Sequence, residues 1–297
     1  TIVPRLQKEL AEQQPDIQVL RLVGEDKVTT AEALLALLGS ALGIDLAAGP
    51  STLVREDAAR QPTLVVIDDA QNLFLRQVGG LAGWEALLGL VNARVENLFW
   101  LVLIDNHAWA YLSNVYGRDY QFRSIKVARR WSQNDIRSLV LSRNHLSGCR
   151  IRYDNILLAT RGPEAGSIRN AEQLYFSLLW DACQGNPAIA LRLWLRSIRM
   201  EGNTVVVGLP DEVVGSGLEA LDRDLHFVYA AISIHENMSS DELVSATALP
   251  ERVVRRALKT GQDMGFLERG ENRRYRIVAL WYPIVTRLLA RKNLLHE

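Results

Sequence analysis

Two adjacent carboxylates that follow an apolar run are the strongest chemical signal in the sequence. Residues 64–67 read LVVI, and Asp68 and Asp69 come directly after them. A buried parallel strand would carry both carboxylates to its carboxyl end, the edge at which open α/β sheets bind ligands. There Asp68 can hold Mg²⁺ and its waters against phosphates, and Asp69 can polarise an attacking water. Any buried strand can also end in Asp at a turn, so the pair alone leaves a structural role open.

The elements that must position this pair follow from the hydrophobic pattern. Apolar runs typical of strands alternate with helical patterns through the first part of the chain, which favours a parallel α/β sheet covered on both faces. The predicted strands are residues 17–23, 63–67, 98–104 and 121–127. The predicted helices are residues 2–13, 30–42 and 84–96.

The alternation stops after residue 127, and helical patterns take over. Ser132 and Asp135 have the spacing of a capping box, and residues 170–183 and 187–198 read as further helices. Residues 201–210 contain Gly, Asn and Pro and indicate a boundary. The later pattern is three helices followed by a hairpin over residues 266–277, which is winged-helix order. The predicted domains are residues 1–128 (α/β), 129–205 (helical) and 206–297 (winged-helix-like).

The run DDAQNL, residues 68–73, resembles the Walker B segment of AAA+ P-loop ATPases. It is most similar to the DEAQNL form of secretion-associated and transposition-regulator ATPases. The resemblance implies ATP and Mg²⁺ as cofactors, Asp68 as the residue that binds both, and Asp69 as the catalytic carboxylate. Asp69 stands where the family usually has glutamate, and a shorter carboxylate reaches less far towards an attacking water.

Less specific sequence signals extend the resemblance to AAA+ ATPases beyond residues 68–73. Asn106, after the third predicted strand, looks like sensor 1, although an ordinary turn at the end of a strand explains it equally well. Pro187, in a Gly-Asn-Pro run, resembles sensor 2 of initiator-type and STAND ATPases, where the helical domain is a lid over the nucleotide. Ala188 follows where that pattern often has Arg, and Arg192, one turn on, is the candidate substitute.

The family can also place an arginine finger near the last core strand, where it completes a neighbour's nucleotide site. Arg118 and Arg123 are the candidates for that role, and surface arginine is the structural alternative. The resemblance therefore implies a homo-oligomer.

The phosphate-binding half of such a site is missing from the sequence. No GxxxxGK[ST] occurs, and the glycines at 79, 80 and 83 have no lysine and follow no strand. In the family that loop joins the first strand to the first helix, and residues 2–13 look like that helix. We expect the loop immediately before residue 1, with Thr1 as its terminal Ser/Thr. A degenerate ATPase without a phosphate loop is the competing interpretation.

A basic face is predicted on the third helix of the C-terminal domain. Arg252, Arg255, Arg256 and Lys259 fall within roughly a 100° arc at helical spacing. The hairpin that follows adds further arginines, which are Arg269, Arg273, Arg274 and Arg276. A basic helix beside a basic wing fits non-specific phosphate contact with duplex DNA. A solvated charged face, or one that docks on an acidic protein surface, is the alternative.

Whole-chain composition sets the remaining limits. Lys+Arg and Asp+Glu both number 34, so the chain as a whole is not a polyanion binder. Two distant cysteines suit a reducing, cytoplasmic setting, and no apolar stretch in this chain is long enough to span a bilayer. The leading hypothesis is an ATP-dependent switch or motor that acts on a protein or DNA partner. A nucleotide-independent scaffold or DNA-binding adaptor, and a regulatory domain of a membrane assembly, are the alternatives.

Overall fold

The chain divides into two compact units in a computed structural model. The first unit comprises Thr1–Lys126, Asp222–Ile277 and Leu289–Glu297, and the second comprises Val127–Leu221 and Val278–Leu288. The structure describes residues 2–23, 26–117, 122–153, 156, 168–210, 215–270 and 272–296. None of the helices within these ranges is long and apolar enough to cross a membrane.

The first unit contains the predicted parallel sheet. Its strands are β1 (Gln18–Val23), β2 (Thr63–Asp68) and β3 (Leu98–Val102), in the order β1-β2-β3. Both pairings are parallel, with Val23 opposite Asp68 and Ile67 opposite Val102. Consecutive β2 residues Val65, Val66 and Ile67 are all buried, so both faces of the central strand are covered. The α/β prediction is therefore confirmed.

Helices cover this sheet and connect its strands. They are α1 (Ile2–Gln13), α2 (Ala31–Leu42), α3 (Pro50–Asp57), α4 (Ala82–Val91) and α5 (Asn106–Tyr116), with a 3₁₀ helix at Ala70–Leu73. Thr30 caps α2, and α2 packs against α4, where Trp84 is fully buried. A Cβ at Gly83 would lie 2.5 Å from the carbonyl oxygen of Val28. This glycine therefore serves close packing and not phosphate binding.

The predicted strand over residues 121–127 is wrong for the part that the structure describes. Residues 122–127 form no regular element, and none of the described strands pairs with them. A strand needs a neighbour for its backbone N–H and C=O groups. The segment is instead anchored by one side chain, because the Phe122 ring lies 5.9 Å from that of Trp84 and 6.0 Å from that of Trp109.

The second unit combines helices with a small sheet. Its elements are α6 (Gln133–Ser147), β4 (Arg150–Arg152), α7 (Ile168–Cys183), α8 (Pro187–Ser197), β5 (Ile198–Glu201), β6 (Thr204–Val207) and α9 (Ser216–Glu219). The predicted capping box of Ser132 and Asp135 is present at α6. Tyr175, on α7, is fully buried among other aromatic rings and bonds Ser197 through its hydroxyl at 2.7 Å.

The sheet of the second unit shows that two predictions were wrong. Residues 129–205 are not entirely helical, and residues 201–210 are more than a boundary. β6 lies between β4, to which it is parallel, and β5, to which it is antiparallel. Residues 205–207 are all valine and all buried, which favours a strand. Gly202, at φ +61°, and Asn203 form the tight turn between β5 and β6.

The C-terminal part of the first unit, residues 222–277, is called the C-terminal module below. It consists of α10 (Arg223–His235), β7 (Asn237–Met238), α11 (Ser240–Thr247), α12 (Glu251–Asp263), β8 (Leu267–Arg269) and β9 (Tyr275–Ile277), and α13 (Tyr282–Arg291) follows it. The order of three helices and a hairpin is confirmed, and β7 adds a third strand beside β9. α10 contacts α5 and the 3₁₀ helix, so the module belongs to the same compact unit as the parallel sheet. Its winged-helix assignment and the bounds of the three predicted domains stay predictions.

Candidate functional site

Asp68 and Asp69 lie at the carboxyl edge of the parallel sheet. Asp68 is the last residue of β2, and Asp69 adopts the left-handed conformation, at φ 56° and ψ 45°, before the 3₁₀ helix. Asp is one of the few residues that tolerate this conformation. The edge is reinforced by backbone bonds, because Leu103 N–H donates to Ile67 O and Ala70 N–H donates to Leu103 O, each at 2.9 Å.

Asp68 forms an ion pair that the sequence analysis missed. Nη2 of Arg21, on β1, lies 2.5 Å from Oδ2 of Asp68, and the two side chains are 33% and 20% exposed. The only sequence signal is an arginine inside the otherwise apolar run of β1. The guanidinium stands at a carboxylate oxygen that a metal ion would also use.

The carboxylates fit Mg²⁺ in their chemistry. Mg²⁺ prefers oxygen ligands and usually takes only one or two protein carboxylates, with waters and substrate phosphates completing its shell. Within the described ranges no group of three His, Cys, Asp or Glu side chains could hold a metal by itself. An ion at Asp68 would therefore depend on phosphate oxygens, which is the arrangement predicted for Mg·ATP.

Gln71 joins this edge to the C-terminal module. Its side chain is almost wholly buried, at 2% exposure. The amide nitrogen donates to Oδ1 of Asp69 at 3.3 Å and to Oε2 of Glu236. The amide oxygen accepts from the backbone N–H of Asp105 at 3.2 Å. One side chain therefore connects the end of β2, the start of α5 and the end of α10.

Lys27 also connects the 3₁₀ helix to the end of α10, next to the connection that Gln71 makes. Its Nζ donates to Oδ1 of Asn72 at 2.8 Å and to the carbonyl oxygen of His235 at 3.0 Å. Burial lowers the pKa of Lys27 to about 7, although the nearby carboxylate of Glu242 acts in the opposite direction. Burial also lowers the pKa of His235, whose ring lies 4.8 Å from that of Phe74.

Glu236 completes an acidic group at this edge. It follows α10 with φ 63° and ψ −44°, a rare conformation for a residue other than glycine. Burial raises the pKa of Glu236, as do the charges of Asp69 and Asp105, whereas the bond from Gln71 and the charge of Lys27 lower it. The sequence analysis assigned no role to Gln71, Lys27 or Glu236.

The sensor 1 candidate, Asn106, is the exposed first residue of α5. The preceding Asp105 is the N-cap, and its side chain accepts from His107 N–H at 2.8 Å. This capping gives Asp105 a local structural role, and its backbone N–H is bound to Gln71. Contact between Asn106 and a phosphate or water stays a prediction.

The Gly-Asn-Pro run has a local structural role in the second unit. Gly185 has φ +74°, and a Cβ there would lie 2.6 Å from the carbonyl oxygen of Trp131. Asn186 caps α8 by accepting from two backbone N–H groups, and Pro187 occupies the first turn, where its missing N–H costs nothing. Arg192 is exposed on α8. The nucleotide-binding roles of Pro187 and Arg192 stay predictions.

The remaining nucleotide-site candidates are untested. Thr1 and Arg118 lie outside the described residues. Arg123 is exposed in the irregular segment that Phe122 anchors. Its role as an arginine finger for a neighbouring copy stays a prediction.

The basic face of α12 has the predicted geometry. Its buried side holds Val254, Ala257 and Leu258. Arg252, Arg255, Arg256 and Lys259 are exposed, and so is Arg273 in the hairpin. Two of the arginines form exposed ion pairs, between Arg255 and Glu251 and between Arg256 and Asp222. Such pairs are weak, so they leave the face available to phosphates.

The position of Arg274 contradicts the prediction that this hairpin arginine adds to the basic face. Its side chain is only 9% exposed and donates to both carboxylate oxygens of Glu242, at 2.7 and 2.6 Å. Its Nε also donates to Oδ1 of Asn237 at 2.6 Å. Arg274, directly before β9, therefore joins the hairpin to α11 and β7 and does not belong to the basic face.

The similarity of this chain to known proteins is low. No protein-family model matches the chain, and no curated protein matches it significantly. Among solved structures, the ORC2 protein of Aeropyrum pernix, in ADPNP–ADP complexes, is 13% identical with a TM-score of 0.35, over 98% of this chain and 83% of that one. Cdc6p of Pyrobaculum aerophilum is 13% identical with a TM-score of 0.39, over 98% and 84%. A RuvB mutant of Thermotoga maritima is 15% identical with a TM-score of 0.32, over 95% and 92%.

Proposed function

We propose that this chain belongs to an AAA+-type module that binds and hydrolyses ATP and acts as a switch or motor on a partner. The observation that carries the proposal is the position of Asp68 and Asp69. Both follow the central strand of a parallel sheet, within a DDAQNL run, at the edge where such sheets bind ligands.

Each residue at this edge has a distinct role in the proposal. Asp68 holds Mg²⁺, which neutralises charge on the phosphates when bound. Asp69 orients and polarises the attacking water. Asn106 contacts the γ-phosphate or that water, and Pro187 and Arg192 contact the nucleotide from the lid.

ATP binding also requires a phosphate-binding loop, and residues 1–297 contain no GxxxxGK[ST]. Among the described strands, β3 pairs with β2 alone. The proposal therefore requires a phosphate loop in the full-length protein, and a strand that leads into it could pair with the other edge of β3.

The C-terminal module is the proposed output. The basic face of α12 offers several exposed cations to a protein partner or to duplex DNA, which it would bind without sequence preference. Arg118 and Arg123 are the proposed fingers of a homo-oligomer, in which each copy completes its neighbour's site.

The test is ATP hydrolysis by the full-length natural protein and its Asp68→Ala variant. We expect Mg²⁺-dependent hydrolysis in the natural protein and a loss of about 100-fold or more in the variant. Asp16→Ala, which removes an exposed carboxylate from the same unit, should hydrolyse ATP normally. A natural protein that binds no nucleotide would overturn the proposal.

A nucleotide-independent scaffold or DNA-binding adaptor is the second candidate. The observation that favours it is the ion pair of Arg21 and Asp68, which supplies the carboxylate with a cation from the chain itself. Under this alternative, binding of duplex DNA by the full-length protein is the same with ATP, with ADP and without nucleotide. A nucleotide-dependent change in that affinity excludes it.

A further inference from the structure

The orientation of the Gln71 side chain is fixed by all three of its partners. Its nitrogen faces the carboxylates of Asp69 and Glu236, and its oxygen faces the backbone N–H of Asp105. A rotation of the amide by half a turn would place its oxygen against two carboxylates and its nitrogen against an N–H donor. Both N–H groups and the carbonyl are therefore committed to one arrangement.

Glu236 is the stronger of the two carboxylate partners. The contact from the Gln71 nitrogen to Oδ1 of Asp69 is 3.3 Å, longer than an ordinary N–H···O hydrogen bond, so Asp69 is the weaker acceptor. The backbone of Glu236 has a positive φ, which persists only where the surrounding fold determines it, so the position of Glu236 after α10 is set by the C-terminal module. The amide position is thus set mainly from the side of the C-terminal module.

A neighbouring pair of residues holds the same two elements together. Lys27 bonds Asn72, next to Gln71, and the carbonyl of His235, next to Glu236. Two consecutive residues of the DDAQNL segment are therefore tied to two consecutive residues at the end of α10. Displacement of either element would break both connections.

We infer that Glu236 is a positioning residue for the hydrolytic site, and that it fixes the carboxylate of Asp69 through Gln71. The inference rests on the proposed function of Asp69. Asp69 has a left-handed backbone at the end of β2, and the Gln71 nitrogen is its described side-chain donor. When Glu236 is absent, Gln71 loses its stronger acceptor and turns towards Asp69, which moves the carboxylate that must meet the attacking water.

The first test compares ATP hydrolysis by the full-length natural protein with that of Glu236→Ala. We expect kcat to fall about tenfold with the KM for ATP unchanged, because the variant misplaces a reacting group and removes no nucleotide contact. Glu236→Gln keeps an acceptor oxygen for Gln71 and should recover most of kcat. Glu251→Gln, an exposed change in the same module, is the matched control and should leave kcat unaltered. An unchanged kcat in Glu236→Ala overturns the inference and leaves the proposed function intact.

A double variant separates positioning from stabilisation. Gln71→Glu combined with Glu236→Gln restores a hydrogen bond between the two positions with donor and acceptor exchanged, and the residue at 71 can no longer donate to Asp69. We expect the melting temperature to rise above that of Gln71→Glu alone, in which position 71 faces two carboxylates, while kcat stays low. Recovery of kcat together with stability would show that the contact is only structural and would overturn the inference.

Amide hydrogen exchange tests whether Glu236 fixes the segment that carries Asp69, and its outcome does not depend on ATP hydrolysis. Ala70 N–H donates to Leu103 O and Asn72 N–H donates to Asp69 O, so both amides report on the fixed segment. We expect both to exchange about tenfold faster in Glu236→Ala than in Glu251→Gln. Equal exchange in the two variants overturns the positioning role.

Discussion

The guanidinium of Arg21 lies 2.5 Å from the carboxylate of Asp68, across the boundary between β1 and β2. The pair is partly exposed, so it contributes little to stability, on the order of 0.2–1 kcal/mol. The pair matters more for metal binding, because a divalent cation at Asp68 must either share the carboxylate with Arg21 or displace the guanidinium. If Asp68 holds Mg²⁺ as proposed, the affinity for the ion therefore depends on Arg21.

We predict that Arg21→Gln lowers the Mg²⁺ concentration for half-maximal ATP hydrolysis by about 1.4- to fivefold in the full-length protein. The variant removes a competing cation whose interaction energy is of the size given above. A magnesium titration at saturating ATP measures the change. Arg5→Gln, which breaks an exposed pair with Glu9 on α1, should leave the midpoint unaltered. An unchanged midpoint in Arg21→Gln would show that Arg21 and the metal do not compete.

Arg274 offers a stability test within the C-terminal module. Arg274→Ala leaves the carboxylate of Glu242 without its bidentate partner, and we expect the free energy of unfolding to fall by about 3–5 kcal/mol. Arg276→Ala breaks an exposed pair between β9 and Glu268 on the neighbouring strand β8 and should cost less than about 1 kcal/mol. Urea denaturation measures both values. Equal losses would contradict the buried position of Arg274.

Lys27 predicts a pH dependence of stability. Its pKa is about 7 in the folded protein, against an ordinary 10.5, so between these values the unfolded chain binds a proton that the folded chain lacks. The free energy of unfolding therefore rises with pH across this window, by at most about 1.4 kcal/mol per pH unit from this group. The charged groups that act on Lys27 are Glu242, Arg274, Glu236 and Asp69.

The measurement is urea denaturation of the natural chain and Lys27→Met at pH 7, 8 and 9. We expect the difference between their free energies of unfolding to grow with pH in favour of the natural chain. Lys8→Met, on the exposed face of α1, should show a constant difference. A constant difference for Lys27→Met would mean that Lys27 stays charged when buried.

The basic face of α12 predicts a salt-dependent affinity for DNA. We expect the double variant Arg252→Ala, Lys259→Ala to weaken binding to duplexes of different sequence to the same extent. The slope of log K against log salt should fall in magnitude by about 0.9 for each lost phosphate contact. Arg5→Ala with Lys8→Ala, on α1, removes the same charge elsewhere and is the control. An unaltered affinity in the α12 variant would exclude this face as a DNA contact.

The sequence predicted those elements that a short stretch of neighbouring residues is enough to specify. β2 is a continuous apolar run, and a strand buried on both faces has that composition. The capping box of Ser132 and Asp135 lies within four residues, so the start of α6 could be predicted from the sequence. The hairpin between β5 and β6 had a signal as well, since Gly-Asn is a tight-turn pair beside three valines.

The rest of the candidate site depends on contacts that no local pattern encodes. Gln71 and Glu236 are 165 residues apart in the chain, and neither stands out by its neighbours. Arg274 belongs to a basic run by composition, yet the fold turns it inward to Glu242. The predicted strand at 121–127 failed because strand formation needs a partner, and the amino-acid pattern of one segment does not specify its neighbour.

The burial of Lys27 also couples movement of the C-terminal module to the binding of a proton. Its ammonium lies between Asn72, on the 3₁₀ helix, and the carbonyl that ends α10. If α10 moves away from the 3₁₀ helix, Nζ meets water and its pKa returns towards 10.5. Between pH 7 and 10.5 the separated form would then carry up to one more proton than the closed form. Release of the C-terminal module is therefore a proton-consuming step, which mild acid assists and mild alkali opposes.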